Sequence, residues 1–124
     1  MRFLSIVLLI FSTNIYSQSN SSKSGKNYAE SKLKLALSKE SQHNVVDNKK
    51  VLIKDHSTAI KIVEPILISI YGQENIESQK PYENYLIENY WVIMGTLKKD
   101  MVGGTFLIII DARNAKILKI THCK

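Results

Sequence analysis

Residues 59–72 read AIKIVEPILISIYG, and the chain changes its apolar period immediately afterwards. Within the stretch Ile60, Val63, Ile66, Leu67 and Ile70 recur at i, i+3, i+6, i+7 and i+10, with Lys61 and Glu64 opposite. That spacing gathers the apolar side chains on one helical face, so it predicts an amphipathic helix over Ala59 to Tyr71, laid on a core. Asp55-His56-Ser57-Thr58 offers N-caps before it, and Gly72 can take the left-handed conformation that ends a helix. Pro65 removes one backbone donor and crowds the Lys61 carbonyl, so a kink is expected there.

Past Gly72 the period falls to 2. Tyr82 to Ile87 reads as a strand, Glu88-Asn89 as a tight turn, and Tyr90 to Leu97 as a second strand. In that second strand Trp91, Ile93 and Leu97 point one way, while Tyr90, Val92, Met94 and Thr96 point the other. Lys98 to Gly104 is a connecting loop, and Thr105 to Ile110 (TFLIII) is apolar enough for a central strand covered on both faces. Asp111 to Ala115 is a turn in which Asn114 can take a positive φ, and Lys116 to Thr121 is the last strand. Loops this short exclude parallel crossovers, so the strands form an antiparallel meander. One long helix in the concave face of that sheet makes the fold class α+β.

At the N-terminus, Met1-Arg2 is followed by the apolar run FLSIVLLIF (residues 3–11), polar Ser12, Thr13 and Asn14, and small Ser17. This is the three-part pattern of a secretory signal peptide, with cleavage expected between Ser17 and Gln18; Ile15 makes the site imperfect. The protein is then exported, periplasmic or extracellular. The apolar run is too short to span a bilayer. Residues 18–27, QSNSSKSGKN, hold no apolar side chain and read as a disordered tether. Tyr28 to Glu40 alternates like a strand at Leu33, Leu35 and Leu37, but its Ala, Glu, Lys and Leu content favours a short helix or helical turn.

With 124 residues one domain is the expectation rather than two independent cores, so residues 28–124 read as a single domain. Ten aromatics and a 44% apolar content exclude collagen-like and disordered chains, and a lone cysteine, Cys123, excludes an internal disulfide or a Cys-pair zinc site. The net charge of +6 sits mostly in residues 18–56, where eight lysines face four acids; residues 57–124 hold eight basic and seven acidic residues. Those lysines are interleaved with serine and acids, and export separates the chain from nucleic acid, so a nucleic-acid partner is not expected.

Residues 58–124 resemble the nuclear transport factor 2 fold immunity proteins of bacterial polymorphic toxin systems. The resemblance is carried by Thr58-Ala59-Ile60-Lys61-Ile62, Glu64-Pro65-Ile66, Ile70-Tyr71-Gly72 and Gln79-Lys80-Pro81-Tyr82. It continues through Trp91-Val92-Ile93-x-Gly95-Thr96-Leu97, Gly103-Gly104-Thr105-Phe106 and Lys116-Ile117-Leu118-x-Ile120-Thr121-His122. The sequence departs where such proteins usually carry glycine, at Ala115 and Cys123, which leaves Asn114 to absorb the strain of the last turn. The resemblance implies a cystatin-like cone, a curved sheet wrapping a helix around a cavity, and a small protein that binds a cognate toxin domain and blocks it.

Chemistry is weakly represented. His43, His56 and His122 share no metal-ligand spacing, and neither Asp100 nor Asp111 sits on an inward sheet face, so no metal, cofactor or catalytic residue is expected. Gly103-Gly104 precedes a strand rather than a helix, which makes it a turn and not a phosphate cradle. Trp91, Phe106 and Tyr71 are expected in the core. One segment stands out: Gln73 to Trp91 holds Glu74, Glu77, Glu83 and Glu88 against Lys80 alone, with Tyr82, Tyr85 and Tyr90 among them. These seven acidic and tyrosine residues are either a recognition surface for the toxin or a charge-protected edge strand. The rival to an immunity protein is a small-molecule or lipid carrier using the cavity between helix and sheet; a pocket enzyme would need a buried carboxylate.

Overall fold

The computed structural model describes residues 16–122. The basic end and apolar run of the expected signal peptide lie outside the described residues, as does Cys123. The chain divides into two compact units, Met1–His43 and Asn44–Lys124.

The first unit contributes α1, Tyr16–Leu37. The stretch expected as a polar tether, 18–27, is therefore helical, continuous with the helical turn expected from Tyr28. Good helix formers at Ala29, Glu30, Lys32, Lys34 and Ala36 carry the C-terminal half. A Lys26–Glu30 ion pair at 3.8 Å, spaced i to i+4, crosses the expected border. Once nucleated, a helix extends at little cost into a polar neighbour.

The second unit is α+β. It contains α2 (His56–Tyr71), the short α3 (Gln73–Glu77), and strands β1 (Glu83–Ile87), β2 (Tyr90–Met94), β3 (Phe106–Asp111) and β4 (Ile117–His122). The strands form one antiparallel sheet in the order β1-β2-β3-β4, the meander expected from the short loops. In place of one long helix, the described residues form α1, α2 and α3.

Asp55 caps α2 from an extended backbone: its Oδ1 accepts from the Thr58 amide at 2.8 Å and its Oδ2 from the Thr58 hydroxyl at 3.0 Å. Those hydrogen bonds, the backbone amide first, hold the Asp55 carboxyl below its ordinary pKa. Gly72, at φ +89, ends the helix and donates its amide to the Ile68 carbonyl at 2.9 Å. The helix is continuous through Pro65, which is exposed.

The buried stripe of α2 is Ala59, Val63 and Leu67, spaced i, i+4, i+8, with Ile62, Ile68 and Tyr71 packed beside it. The expected face is thus corrected. Ile60 and Ile66 are half-buried and Ile70 is 53% exposed. Against this stripe lie Trp91 and Ile93 of β2 and Phe106, Ile108 and Ile110 of β3. The Trp91 indole donates to the Ile53 carbonyl at 2.8 Å, which ties the segment before α2 to the sheet.

β3 alternates more strictly than its apolar run suggests. Phe106, Ile108 and Ile110 are fully buried, but Leu107 and Ile109 on the other face are only half-buried, so the strand is covered fully on one side. β2 ends at Met94 rather than Leu97: the Gly95 amide still donates to the Phe106 carbonyl at 3.1 Å, but the Thr96 amide turns to the Gln79 carbonyl at 2.8 Å. In the turn after β3, Ala115 takes the positive φ, +63, rather than Asn114. Asn114 instead spends its side chain on hydrogen bonds, accepting from the Lys116 amide and donating to Asn48 Oδ1 at 2.8 Å.

Candidate partner-binding surfaces

The acidic and tyrosine residues of 73–91 are divided by the fold. Glu74 and Glu77 are exposed on α3. Tyr82 turns inward: its ring meets Phe106 edge-on at 5.2 Å and its hydroxyl donates to the Ile76 carbonyl at 3.3 Å. Burial, with Glu64 and Glu77 nearby, pushes its phenol pKa up, and Tyr82 is half-buried, packed on the core rather than fully exposed. Glu83 and Tyr85 point outward from β1, and Glu88 occupies the hairpin turn at φ +56.

Tyr90 lies on the same face as Tyr85 but is engaged. Arg113 stacks over its ring at 5.5 Å and donates to its hydroxyl at 3.1 Å. The same guanidinium donates to both carboxylate oxygens of Asp111 at 2.9 Å, and Asp111 is buried. This two-pronged pairing holds the Asp111 carboxyl below its ordinary pKa and the Arg113 guanidinium above its own. A carboxylate so held is a poor base.

Strand register assigns a whole outer face, opposite α2. Tyr85 pairs with Val92, Val92 with Ile109, and Ile109 with Lys119. One same-face step along, Glu83 pairs with Met94, Met94 with Leu107, and Leu107 with Thr121. Tyr85 and Ile87 are exposed, and Val92, Met94, Leu107 and Ile109 are half-buried. The result is an apolar sheet face with a carboxylate at its β1 edge and an ammonium at its β4 edge.

Sequence reasoning singled out Gln79 only as part of a motif; the structure gives it a task. Buried Gln79 accepts the Phe106 amide on Oε1 at 2.9 Å and donates from Nε2 to the Asn75 carbonyl and Oδ1 at 3.3 and 3.2 Å. Its backbone carbonyl accepts from Thr96 at 2.8 Å. Gly95 is glycine because a Cβ there would overlap Gln79 Oε1 and lie 2.8 Å from Gln79 Cβ. The spacing of Gln79, Gly95 and Phe106 in the quoted motifs was the available signal.

The space between α2 and the sheet is taken by fully buried Val63, Leu67, Ile93, Phe106, Ile108 and Ile110. An open depression of about 620 Å³ lies at the surface between Ile60, Glu64, Lys80, Pro81 and Tyr82, with Lys80 and Glu64 3.6 Å apart. A smaller recess of about 180 Å³ includes Gln79, Thr96, Met101 and His122. His122 packs on Tyr71 at 5.3 Å. Among the described residues no three His, Cys, Asp or Glu side chains cluster as metal ligands, and no helix is long and apolar enough to cross a membrane.

The second unit is thus an α+β domain with a filled core, and the exposed acidic and tyrosine groups of residues 73–91 are Glu74, Glu77, Glu83, Tyr85 and Glu88. Residues 58–124 match the sequence model of the NTF2 fold immunity proteins, and the chain belongs to that family. It is also 35% identical over 74 residues to the uncharacterized protein YhhH of Escherichia coli (strain K12), a match covering 59% of this chain and 58% of that protein. To the uncharacterized protein YbbC of the same strain it is 33% identical over 92 residues, covering 73% of this chain and 70% of that protein. No solved structure gives a significant match.

Proposed function

We propose that this is an exported immunity protein that binds a cognate toxin domain of a bacterial polymorphic toxin system and neutralises it by occlusion, without chemistry of its own. The observation that carries the reading is the family match over residues 58–124. The filled core supports it over a carrier, whose ligand would need the volume that Phe106, Leu67 and their neighbours occupy. Export rests on the sequence of residues 1–17, and the mature chain would begin at Gln18. Glu74, Glu77 and Glu88, all exposed, are the carboxylates we assign to the encounter with a basic toxin. Steering by such groups acts over a Debye length of about 8 Å and needs no single patch.

The test is direct. The purified protein is mixed with the toxin domain encoded beside it, and residual toxin activity is titrated. Loss of activity at one equivalent is expected, with the complex surviving gel filtration. The triple variant Glu74→Lys, Glu77→Lys, Glu88→Lys should associate more slowly, with weaker salt dependence, and still fold. A toxin left fully active by excess protein overturns the reading.

A further inference from the structure

The two edges of the sheet differ in how they are guarded. β4 carries Lys119 near its middle, and its pairing with β3 skips Leu118 where the register shifts between Ile109 and Ile110. A central lysine and a bulge are devices that keep an edge strand from pairing further. β1 has neither. Its residues, ENYLI, pair with β2 in unbroken register, and no charge stands between Glu83 at its start and Glu88 in the turn. We propose that β1 takes an extended, basic-flanked segment of the toxin as a fifth strand of the sheet. The proposal rests on the immunity reading and adds the manner of docking.

The backbone of β1 is open outward. The tight turn at Glu88-Asn89 closes on Ile87 and Tyr90, so that pair exchanges both of its hydrogen bonds. Hydrogen-bonded pairs recur at Tyr85 with Val92 and at Glu83 with Met94. Asn84 and Leu86 fall between them and turn their N–H and C=O groups away from β2. Those are the groups to which an added strand bonds. The inner side of β1 is open as well. Asn84 and Leu86 pair with buried Ile93 and Trp91 and share their face, yet Leu86 is 43% exposed. The depression of about 620 Å³ between Ile60, Glu64 and the inward Tyr82 lies on that side, with room for an inward side chain of the added strand.

Charge selects the occupant. Glu83 and Glu88 are exposed, and neither has a salt-bridge partner among the described residues. At about 3.4 Å per residue they stand roughly 17 Å apart, which matches a segment with basic residues at both ends and apolar residues between. A second copy fits poorly. β1 laid antiparallel on β1 gathers Glu83 of one copy and Glu88 of the other at each end, and like charges so placed are unfavourable.

Amide hydrogen exchange of the isotope-labelled protein, free and saturated with the toxin domain encoded beside it, tests the proposal residue by residue. In the free protein the Asn84 and Leu86 amides should exchange fast and those of Tyr85 and Ile87 slowly; in the complex all four should be slow. Leu86→Pro removes the outward N–H and leaves the bonds to β2. Its near-ultraviolet spectrum should be unchanged, and its Kd for the toxin domain should rise at least about tenfold. Leu86→Val keeps the amide and should stay within about threefold of the wild type. Glu83→Lys combined with Glu88→Lys should weaken binding roughly tenfold at low salt and less at high salt. If Leu86→Pro does not fold, the exchange pattern of the wild type decides. Neutralisation with Asn84 and Leu86 still exchanging fast overturns this proposal and leaves the immunity reading standing, as does indifference of binding to Leu86→Pro or to the charge reversal. Protection of those two amides in the free protein also overturns it, since the edge is then covered by this chain or by a second copy. A toxin left active by excess protein removes both readings.

Discussion

Ala115 holds a left-handed backbone, φ +63, in the turn between β3 and β4. For an L-residue that conformation costs about 1–2 kcal/mol, and glycine avoids the cost while adding entropy to the unfolded chain. Ala115→Gly should therefore stabilise the protein by a net of about 0.5–1 kcal/mol, seen as a higher urea midpoint at unchanged slope. An unchanged or lowered midpoint would mean the turn relaxes elsewhere. Sequence reasoning located the turn and its misfit residue but gave the positive φ to Asn114. Asparagine tolerates that region, yet its side chain serves the fold better by bonding Lys116 and Asn48. Asp111 makes a second prediction. Its folded pKa lies below the ordinary 3.8, chiefly through Arg113, so its contribution is present above that value and is lost as pH falls through the depressed one. Asp111→Asn should be less stable at neutral pH and should show a shallower loss of stability in acid than the wild type. Parallel acid profiles would remove Asp111 from the account.

At the scale of elements, α2 separates what a pattern shows from what it leaves open. Apolar residues stand at nearly every position from Ala59 to Tyr71 except Lys61, Glu64, Pro65 and Ser69, so several stripes satisfy a helical period. The structure selects Ala59, Val63 and Leu67. Leu67→Ala should cost about 2–5 kcal/mol in denaturant unfolding, whereas Ile70→Ala should cost less than about 0.5 kcal/mol. Equal losses would return Ile70 to the core. β2 was more legible: a period of 2 put Ile93 on the side of Trp91, and Trp91 and Phe106 were readable as core, whereas the apolar run of β3 read as covered on both faces and concealed its one-sided burial. What the period did not show was where pairing stops. β2 ends three residues early because Gln79, from outside the sheet, takes the Thr96 amide on its backbone and the Phe106 amide on its side chain, and no local pattern announces that. The acidic and tyrosine stretch was legible as a composition but not as a surface, since Tyr82 and Tyr90 are drawn into packing and pairing.

For the molecule as a whole, the division at His43 and Asn44 carries a prediction. A chain beginning at Asn44 retains α2, the sheet and the Ile53 carbonyl that holds Trp91. It should unfold in one cooperative transition and keep the near-ultraviolet signal of a fixed indole; a non-cooperative melt would show that the first unit is required. Within the second unit, the Gln79 amide stands in for a missing peptide group at one end of the central ladder. It receives the Phe106 amide on its side chain and the Thr96 amide on its backbone, with Gly95 leaving room for both. Seen this way, Gln79 works as a bolt across the loop end of the β2–β3 hairpin. The chain between Leu97 and Thr105 hangs outside the bolt, with Lys98, Lys99, Met101 and Val102 exposed. Its length and chemistry can be exchanged without shifting strand register, so this loop is a place where a new partner specificity can be written at no cost to the sheet.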